Sequence, residues 1–146
     1  MSNSKLQAVR SDIWYKMING QPVDLTVTLE GTGSATAVLL GKQIIVTLVD
    51  AQTGKYVNIS TPLGFRVLKA HSIHQDAVSS TWQLANTTDA IGTAVTMAAS
   101  DTDIDNTIDI DDAYSTFKRG DDDLRLIIGT AAANAVIVID IEPTIG

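Results

Sequence analysis

Five of the six aspartates within residues 101–112 form the pattern of this sequence that most resembles a metal site. The first, third, fifth, ninth and twelfth positions of residues 101–112 are Asp101, Asp103, Asp105, Asp109 and Asp112. Alternate side chains of a tight twelve-residue loop can converge on one Ca²⁺ ion, which prefers oxygen ligands. Two positions depart from that pattern. Asn106 stands in place of the turn glycine, and Asp112 reaches less far than the usual glutamate.

The apolar residues of the same stretch favour a structural role instead. Ile104, Ile108 and Ile110 can anchor a strand edge while the aspartates face water, and a charged edge resists unwanted pairing with other sheets. The preceding residues 93–97 are rich in β-branched side chains, so we expect no helix leading into the stretch. We therefore expect a solvated edge or loop, with a calcium site as the alternative.

The other residues that could bind a metal or a cofactor do not form a recognised motif. His71 and His74 lie three apart in a predicted strand, where such positions point to opposite faces, so we expect no shared metal ion. Gly31-Thr32-Gly33 lacks the rest of a dinucleotide fingerprint, and Gly41-Lys42 lacks the first glycine and the hydroxyl of a phosphate loop. No nucleophile elbow or zinc-binding helix motif is present. We expect no catalytic residues, no bound metal and no cofactor.

The first twenty residues carry a helical pattern. Leu6, Val9, Ile13 and Met17 fall on one face at helical spacing, Ser4 with Gln7 fits a capping box, and Asn19-Gly20 fits a helix end. We assign residues 1–22 to an N-terminal helix or arm, whose apolar face could cover either this domain or another subunit. The side chains predicted to bind that partner are Lys5, Arg10, Ile13, Trp14, Tyr15 and Lys16.

The remaining residues, 23–146, indicate one all-β domain. Val23–Leu29 alternates apolar and polar residues, as a half-buried strand does. Further strands are predicted at 36–40, 43–49, 56–60, 65–73, 79–84, 92–97, 124–128 and 135–141. Short strands at turn intervals of about ten residues favour an antiparallel sandwich or barrel. One short internal helix is predicted from Asp111 or Asp112 to a stop at Gly120, and Trp82 is expected in the core.

Composition limits the function classes. The chain has 146 residues, 45% hydrophobic and 18% charged, which is a folding composition for one domain. A net charge of −7 argues against a nucleic-acid partner. Cysteine is absent, which excludes disulfides and thiolate chemistry. No apolar stretch is long enough to cross a bilayer, so no membrane partner is expected, and the first residues do not resemble a secretory signal.

The segment from Gly64 onward resembles a known protein class in the order of its short motifs. These motifs are Phe65–Ile73, Trp82–Leu84, Thr88–Ile91, Ile108–Tyr114, Gly120-Asp121 before Leu124–Leu126, and Ile139–Pro143. Their order is similar to that of small tailed-bacteriophage head proteins of the cement or decoration class. Residues 1–63 match only in general character, as a polar arm followed by strands.

The resemblance implies a jelly-roll-like antiparallel β-sandwich that acts without catalysis. Such a protein is a homotrimer on the outer surface of an icosahedral phage head, where it bridges major capsid protein subunits and stabilises the shell. The alternative left open is a calcium- or carbohydrate-binding β-sandwich module of a phage tail or adhesion apparatus. The resemblance carries no catalytic residues over to this chain.

Overall fold

The computed structural model of the chain describes most of the predicted sandwich. The described residues are 13, 15–61, 63–74, 76–99, 104–106, 110, 113–118, 123–130 and 133–144. They confirm an all-β protein made of two antiparallel sheets. Within these ranges, no helix is long and apolar enough to span a membrane.

Thirteen strands follow one another along the described chain. They are β1 (Val23–Asp24), β2 (Thr26–Leu29), β3 (Ser34–Leu40), β4 (Gln43–Ala51), β5 (Tyr56–Ser60), β6 (Phe65–His74), β7 (Ser80–Asn86), β8 (Asp89–Ala90), β9 (Val95–Met97), β10 (Asp105–Asn106), β11 (Thr116–Phe117), β12 (Leu124–Gly129) and β13 (Ala133–Pro143). The longer strands coincide with the apolar and β-branched segments of the sequence.

The strands form a seven-stranded and a six-stranded sheet. The order in the first is β1-β3-β4-β13-β6-β10, with β11 also paired to β6. The order in the second is β2-β5-β12-β7-β8, with β9 also paired to β7. Strand β13 lies between β4 and β6, so the last long strand of the chain is central to the larger sheet.

The core consists of the inward-facing residues of both sheets. In β4, Ile44, Val46 and Leu48 are buried and alternate with more exposed neighbours. Burial of this kind contributes about 1.5–3 kcal/mol for each large aliphatic side chain. A buried hydrogen bond joins the two sheets, because Trp82 Nε1 in β7 donates to Ser72 Oγ in β6 over 2.8 Å. The prediction that Trp82 lies in the core is therefore confirmed.

The predicted internal helix is wrong over the described residues 113–118. Ala113 and Tyr114 form a turn, and Thr116–Phe117 forms β11, which pairs with Arg66 and Phe65 of β6. The Phe117 ring is buried and stacks on Phe65, with centroids 4.6 Å apart and planes 3° apart. A helix of two turns is marginal alone, whereas pairing with β6 satisfies backbone groups and buries this aromatic ring.

The prediction of a single strand over the alternating segment 23–29 is wrong. The segment forms two strands, which lie in different sheets. Val23–Asp24 pairs with β3 of the larger sheet, and Thr26–Leu29 pairs with β5 of the smaller one. Leu25 lies between them, buried, with its backbone N–H donating to Ala37 O over 3.0 Å. The chain changes sheets here without losing its alternation, because both sheets present their inner faces to the same core.

The N-terminal segment is described only at Ile13 and from Tyr15 onward. Ile13 and residues 15–18 are helical, and Ile13 and Met17 are buried in the core of the sandwich. The backbone N–H of Gln21 donates to Lys16 O over 2.7 Å, and Gly20 has a φ of 65°, which together end this helical turn. The predicted start at Ser4 lies outside the described residues, and the division into an arm (1–22) and a sandwich (23–146) stays a prediction.

Candidate functional site: interaction surfaces

The aspartate-rich stretch is described at only a few positions. Asp105 is half-buried in β10, where it pairs with Ser72 of β6. Ile104 is 57% exposed, whereas Ile110 packs against the core. We predicted that the isoleucines anchor this stretch and that the aspartates face water. The structure shows the reverse at Ile104 and Asp105, because the isoleucine is exposed and the aspartate is half-buried. Asp101, Asp103, Asp109 and Asp112 lie outside the described residues, so the calcium alternative stays a prediction.

The two histidines diverge, as their spacing predicts. His74 points inward and is buried, with neither ring nitrogen hydrogen-bonded, whereas His71 lies on the outer face of the same strand. Within the described residues, no three side chains of the His, Asp and Glu types are grouped as a metal site requires.

The predicted partner-binding residues of the N-terminal segment differ in their exposure to solvent. Tyr15 is exposed and Lys16 is half-buried, whereas the Ile13 side chain is buried in the core of its own chain and is not available at the surface. Lys5, Arg10 and Trp14 lie outside the described residues. Burial of Ile13 fixes the helical turn to the sandwich.

An apolar groove lies beside this helical turn. It has a volume of about 210 Å³ and is lined by Met17, Ile18, Gly41, Lys42, Glu142 and Pro143. Ile18 is 79% exposed, although it is a large aliphatic residue. Ile18 and Tyr15 therefore form an exposed apolar ridge at the end of the sandwich where β3 turns into β4 and β13 ends. We call these two residues and the groove the helix ridge.

The outer face of the six-stranded sheet carries a polar network. The Arg125 guanidinium lies 3.9 Å from the centroid of the Tyr56 ring, and Arg125 Nε donates to Asn58 Oδ1 over 2.9 Å. Lys55 Nζ lies 3.4 Å from Glu30 Oε1. Because Arg125 covers the Tyr56 ring, that face of the ring is closed to stacking by a sugar.

Two pKa values are shifted within this network. The hydrogen bond from Tyr56 is the largest effect and lowers the pKa of Glu30 below its ordinary value. Burial opposes this as the second-largest effect, and the hydrogen bond and charge of Lys55 and the charge of Arg125 lower the pKa further. The hydrogen bond to Glu30 and the negative charge of Glu30 raise the pKa of Tyr56 above 10. Both shifts come mainly from the contact between the Tyr56 and Glu30 side chains, and they need no bound ligand to explain them.

The outer face of the seven-stranded sheet is uncharged over two rows of paired residues. Each of the two rows runs across the four neighbouring strands β3, β4, β13 and β6. The rows consist of Val38, Ile45, Val138 and His71, and of Thr36, Thr47, Val136 and Ile73. We call these eight residues the neutral face. The first row is half-buried, and the second is exposed.

Charged groups surround the neutral face at its two ends and beside β3, where exposed Asp24 of β1 pairs with Val38. At one end, Lys69 Nζ lies 3.7 Å from Asp140 Oδ2. At the other end, Asn134 links two aspartates: its backbone N–H donates to Asp76 Oδ2, and its side chain donates to Asp50 Oδ1. A shallow depression of about 390 Å³ lies between this end and Val136. Sequence reasoning did not identify this face, although the unbroken apolar run 135–139 is its signal.

Comparison with known proteins adds no relative. No protein-family model, no curated protein and no solved structure matches this chain.

Proposed function

We propose that this chain is a structural virion protein that binds the outer surface of an icosahedral phage head. It stabilises the shell by bridging major capsid protein subunits, acts as a homotrimer and catalyses no reaction. The proposal draws its partner from the order of motifs between Phe65 and Pro143. The two-sheet fold is compatible with it, because a rigid sandwich can present binding surfaces without a cleft. A net charge of −7 suits a position outside the shell, away from the genome.

The observation that carries the binding role is the helix ridge. Ile13 and Met17 anchor the helical turn in the core, so the turn is rigidly attached to the sandwich. Tyr15 and Ile18 stand on its opposite side at 61% and 79% exposure, next to an apolar groove. Exposed aromatic and aliphatic residues on a fixed support are typical interface anchors, because they lose little conformational freedom on binding.

Substitution of Ile18 tests this proposal. We expect Ile18→Asp to reduce the occupancy of undecorated phage heads, measured by co-sedimentation and by electron microscopy, because it places a charge in the apolar contact. The matched control is Val78→Asp. Val78 is 61% exposed and lies beyond the opposite end of the larger sheet, after His74.

The results of this binding experiment distinguish the helix ridge from other surfaces and also test the proposed function itself. Retained binding by Val78→Asp with loss by Ile18→Asp supports the helix ridge as the docking surface. Equal binding by both variants excludes the ridge. Failure of the wild-type protein to bind heads at any concentration overturns the proposed function.

A further inference from the structure

The dipeptide Asn19-Gly20 ends the helical turn that carries the helix ridge. It is the one Asn-Gly pair in the 146-residue sequence, and both residues are exposed in the structure. Gly20 has a φ of 65°, and a Cβ added to it would meet no atom within 4 Å. The pair is therefore open to solvent and free of packing against the rest of the chain.

The asparagines of the described strands have different surroundings. Asn58 lies in β5, Asn86 in β7 and Asn134 in β13, and all three are half-buried. Each is followed by a residue that has a Cβ. Pairing with neighbouring strands holds their backbone extended. Among the asparagines whose exposure the structure describes, Asn19 therefore stands apart both in its solvent exposure and in the residue that follows it.

We propose that Asn19 is a site of spontaneous deamidation. In this reaction the backbone nitrogen of Gly20 attacks Asn19 Cγ. The bond between Cγ and Nδ2 breaks, and ammonia leaves with the proton of the Gly20 amide. Water then opens the cyclic imide at either of its two carbonyl groups, which gives aspartate or isoaspartate. Glycine favours the ring closure, because it has no Cβ to obstruct the attack and has the widest backbone freedom.

The hydrogen bonds of the turn hold the reacting groups only loosely. The Gly20 N–H donates to Met17 O over 3.3 Å, which is longer than the usual range of about 2.7–3.2 Å. Asn19 Nδ2 donates to Tyr15 O over 2.8 Å, and this exposed bond must break before the ring closes. Opening the last turn of a helix costs little free energy. We therefore expect the reaction in the folded protein, at a lower rate than in the unfolded chain.

The product changes the hydrogen bonding at the end of this turn. A carboxylate only accepts hydrogen bonds, so an aspartate at this position loses the bond to Tyr15 O and places a negative charge beside that carbonyl oxygen. Isoaspartate also adds one carbon to the backbone, which displaces the N–H of Gln21 from Lys16 O, now 2.7 Å away. Deamidation therefore loosens the turn that carries the helix ridge.

Incubation of the folded full-length protein at mildly alkaline pH tests the proposal, with peptide mapping by mass spectrometry as the readout. We expect more deamidation at Asn19 than at Asn58, Asn86 and Asn134 together. Gly20→Ala should slow the reaction at Asn19 at least about tenfold, which corresponds to a barrier higher by about 1.4 kcal/mol. The matched control is Gly54→Ala, because Gly54 also has a positive φ and open space around it.

The loosening of the turn has its own measurement. Asn19→Asp is the product with a normal backbone, and it should raise the rate of hydrogen exchange at the Gln21 amide above that of the wild type. Unchanged exchange there would exclude the loosening and leave the modification site standing. Circular dichroism checks that each variant is folded.

Two results overturn the modification site itself. One is an Asn19 that stays intact in the folded protein while it deamidates in the chain unfolded with guanidinium chloride, because the fold then protects the pair. The other is an equal rate at Asn19 in the Gly20→Ala and Gly54→Ala variants. None of these measurements involves phage heads, so this inference is tested separately from the proposed function.

Discussion

Removal of the Ser72 hydroxyl tests whether the buried hydrogen bond between the two sheets contributes to stability. Ser72 and Trp82 are each 1% exposed, and the indole N–H donates to the hydroxyl over 2.8 Å. Ser72→Ala leaves the indole N–H buried without this acceptor. A buried polar group that loses its partner costs about 1–3 kcal/mol, so we expect the free energy of unfolding to fall by that amount. In a domain of this size the corresponding fall in Tm is roughly 2–12 °C.

Urea unfolding followed by far-ultraviolet circular dichroism measures the effect, because that signal comes mainly from the backbone and can also be followed in variants that lack Trp82. Ser34→Ala, at an exposed strand position, is the matched control and should change stability by less than about 0.5 kcal/mol. A double-mutant cycle with Trp82→Phe isolates the hydrogen bond. Phenylalanine has no donor to leave unpaired, so Ser72→Ala should be almost neutral in that background.

Two results would refute this reasoning. Equal stability of Ser72→Ala and Ser34→Ala would show that the hydrogen bond contributes nothing measurable. An undiminished loss from Ser72→Ala in the Trp82→Phe background would assign the loss to packing rather than to the unpaired indole.

Two further predictions concern the polar network and a tight turn. Glu30→Gln should return the pKa of Tyr56 towards 10, as measured by ultraviolet titration against Tyr56→Phe, since Glu30 is the main cause of the rise; the stability linked to this raised pKa is present below pH 10 and is lost as the pH rises through the folded-state pKa. An unchanged titration would exclude the contact. Gly33→Ala should destabilise the protein more than Gly41→Ala. Gly41→Ala costs about 1–2 kcal/mol for the positive φ alone, whereas a Cβ at Gly33, which also has a positive φ, would in addition overlap the backbone carbonyl of Asp50. Equal losses in thermal unfolding would contradict the clash.

Local patterns predicted the longer strands because those strands depend on alternation and β-branched composition. The predicted segments 43–49 and 135–141 lie within β4 and β13, and Tyr56–Ser60 is β5 itself. The divergence of His71 and His74 followed from the two-residue period alone. Strands β8, β10 and β11 are only two residues long. β10 and β11 pair with the distant strand β6, and β8 forms a tight hairpin with β7, so these strands are too short to carry a strand pattern of their own.

The candidate binding surfaces were harder to predict from the sequence than the strands were. Tyr15 was named as a binding residue and is exposed, whereas Ile13 from the same helical pattern is buried in its own core. The helical period places residues on faces but does not say which face meets the sandwich. The run 135–141 indicated a buried strand, and one of its two faces is in fact open to solvent in the single chain.

The amino-acid sequence by itself determined that this is an all-β protein, because periodicity and β-branched composition are local properties. The tertiary structure alone decided that 23–29 divides between two sheets and that Phe117 leaves a helical pattern to stack on Phe65. It also decided that Val136 and Ile73 remain exposed. The physical reason is that a residue's burial depends on which distant strands cover it, and that depends on how the whole chain satisfies its backbone groups and fills one core.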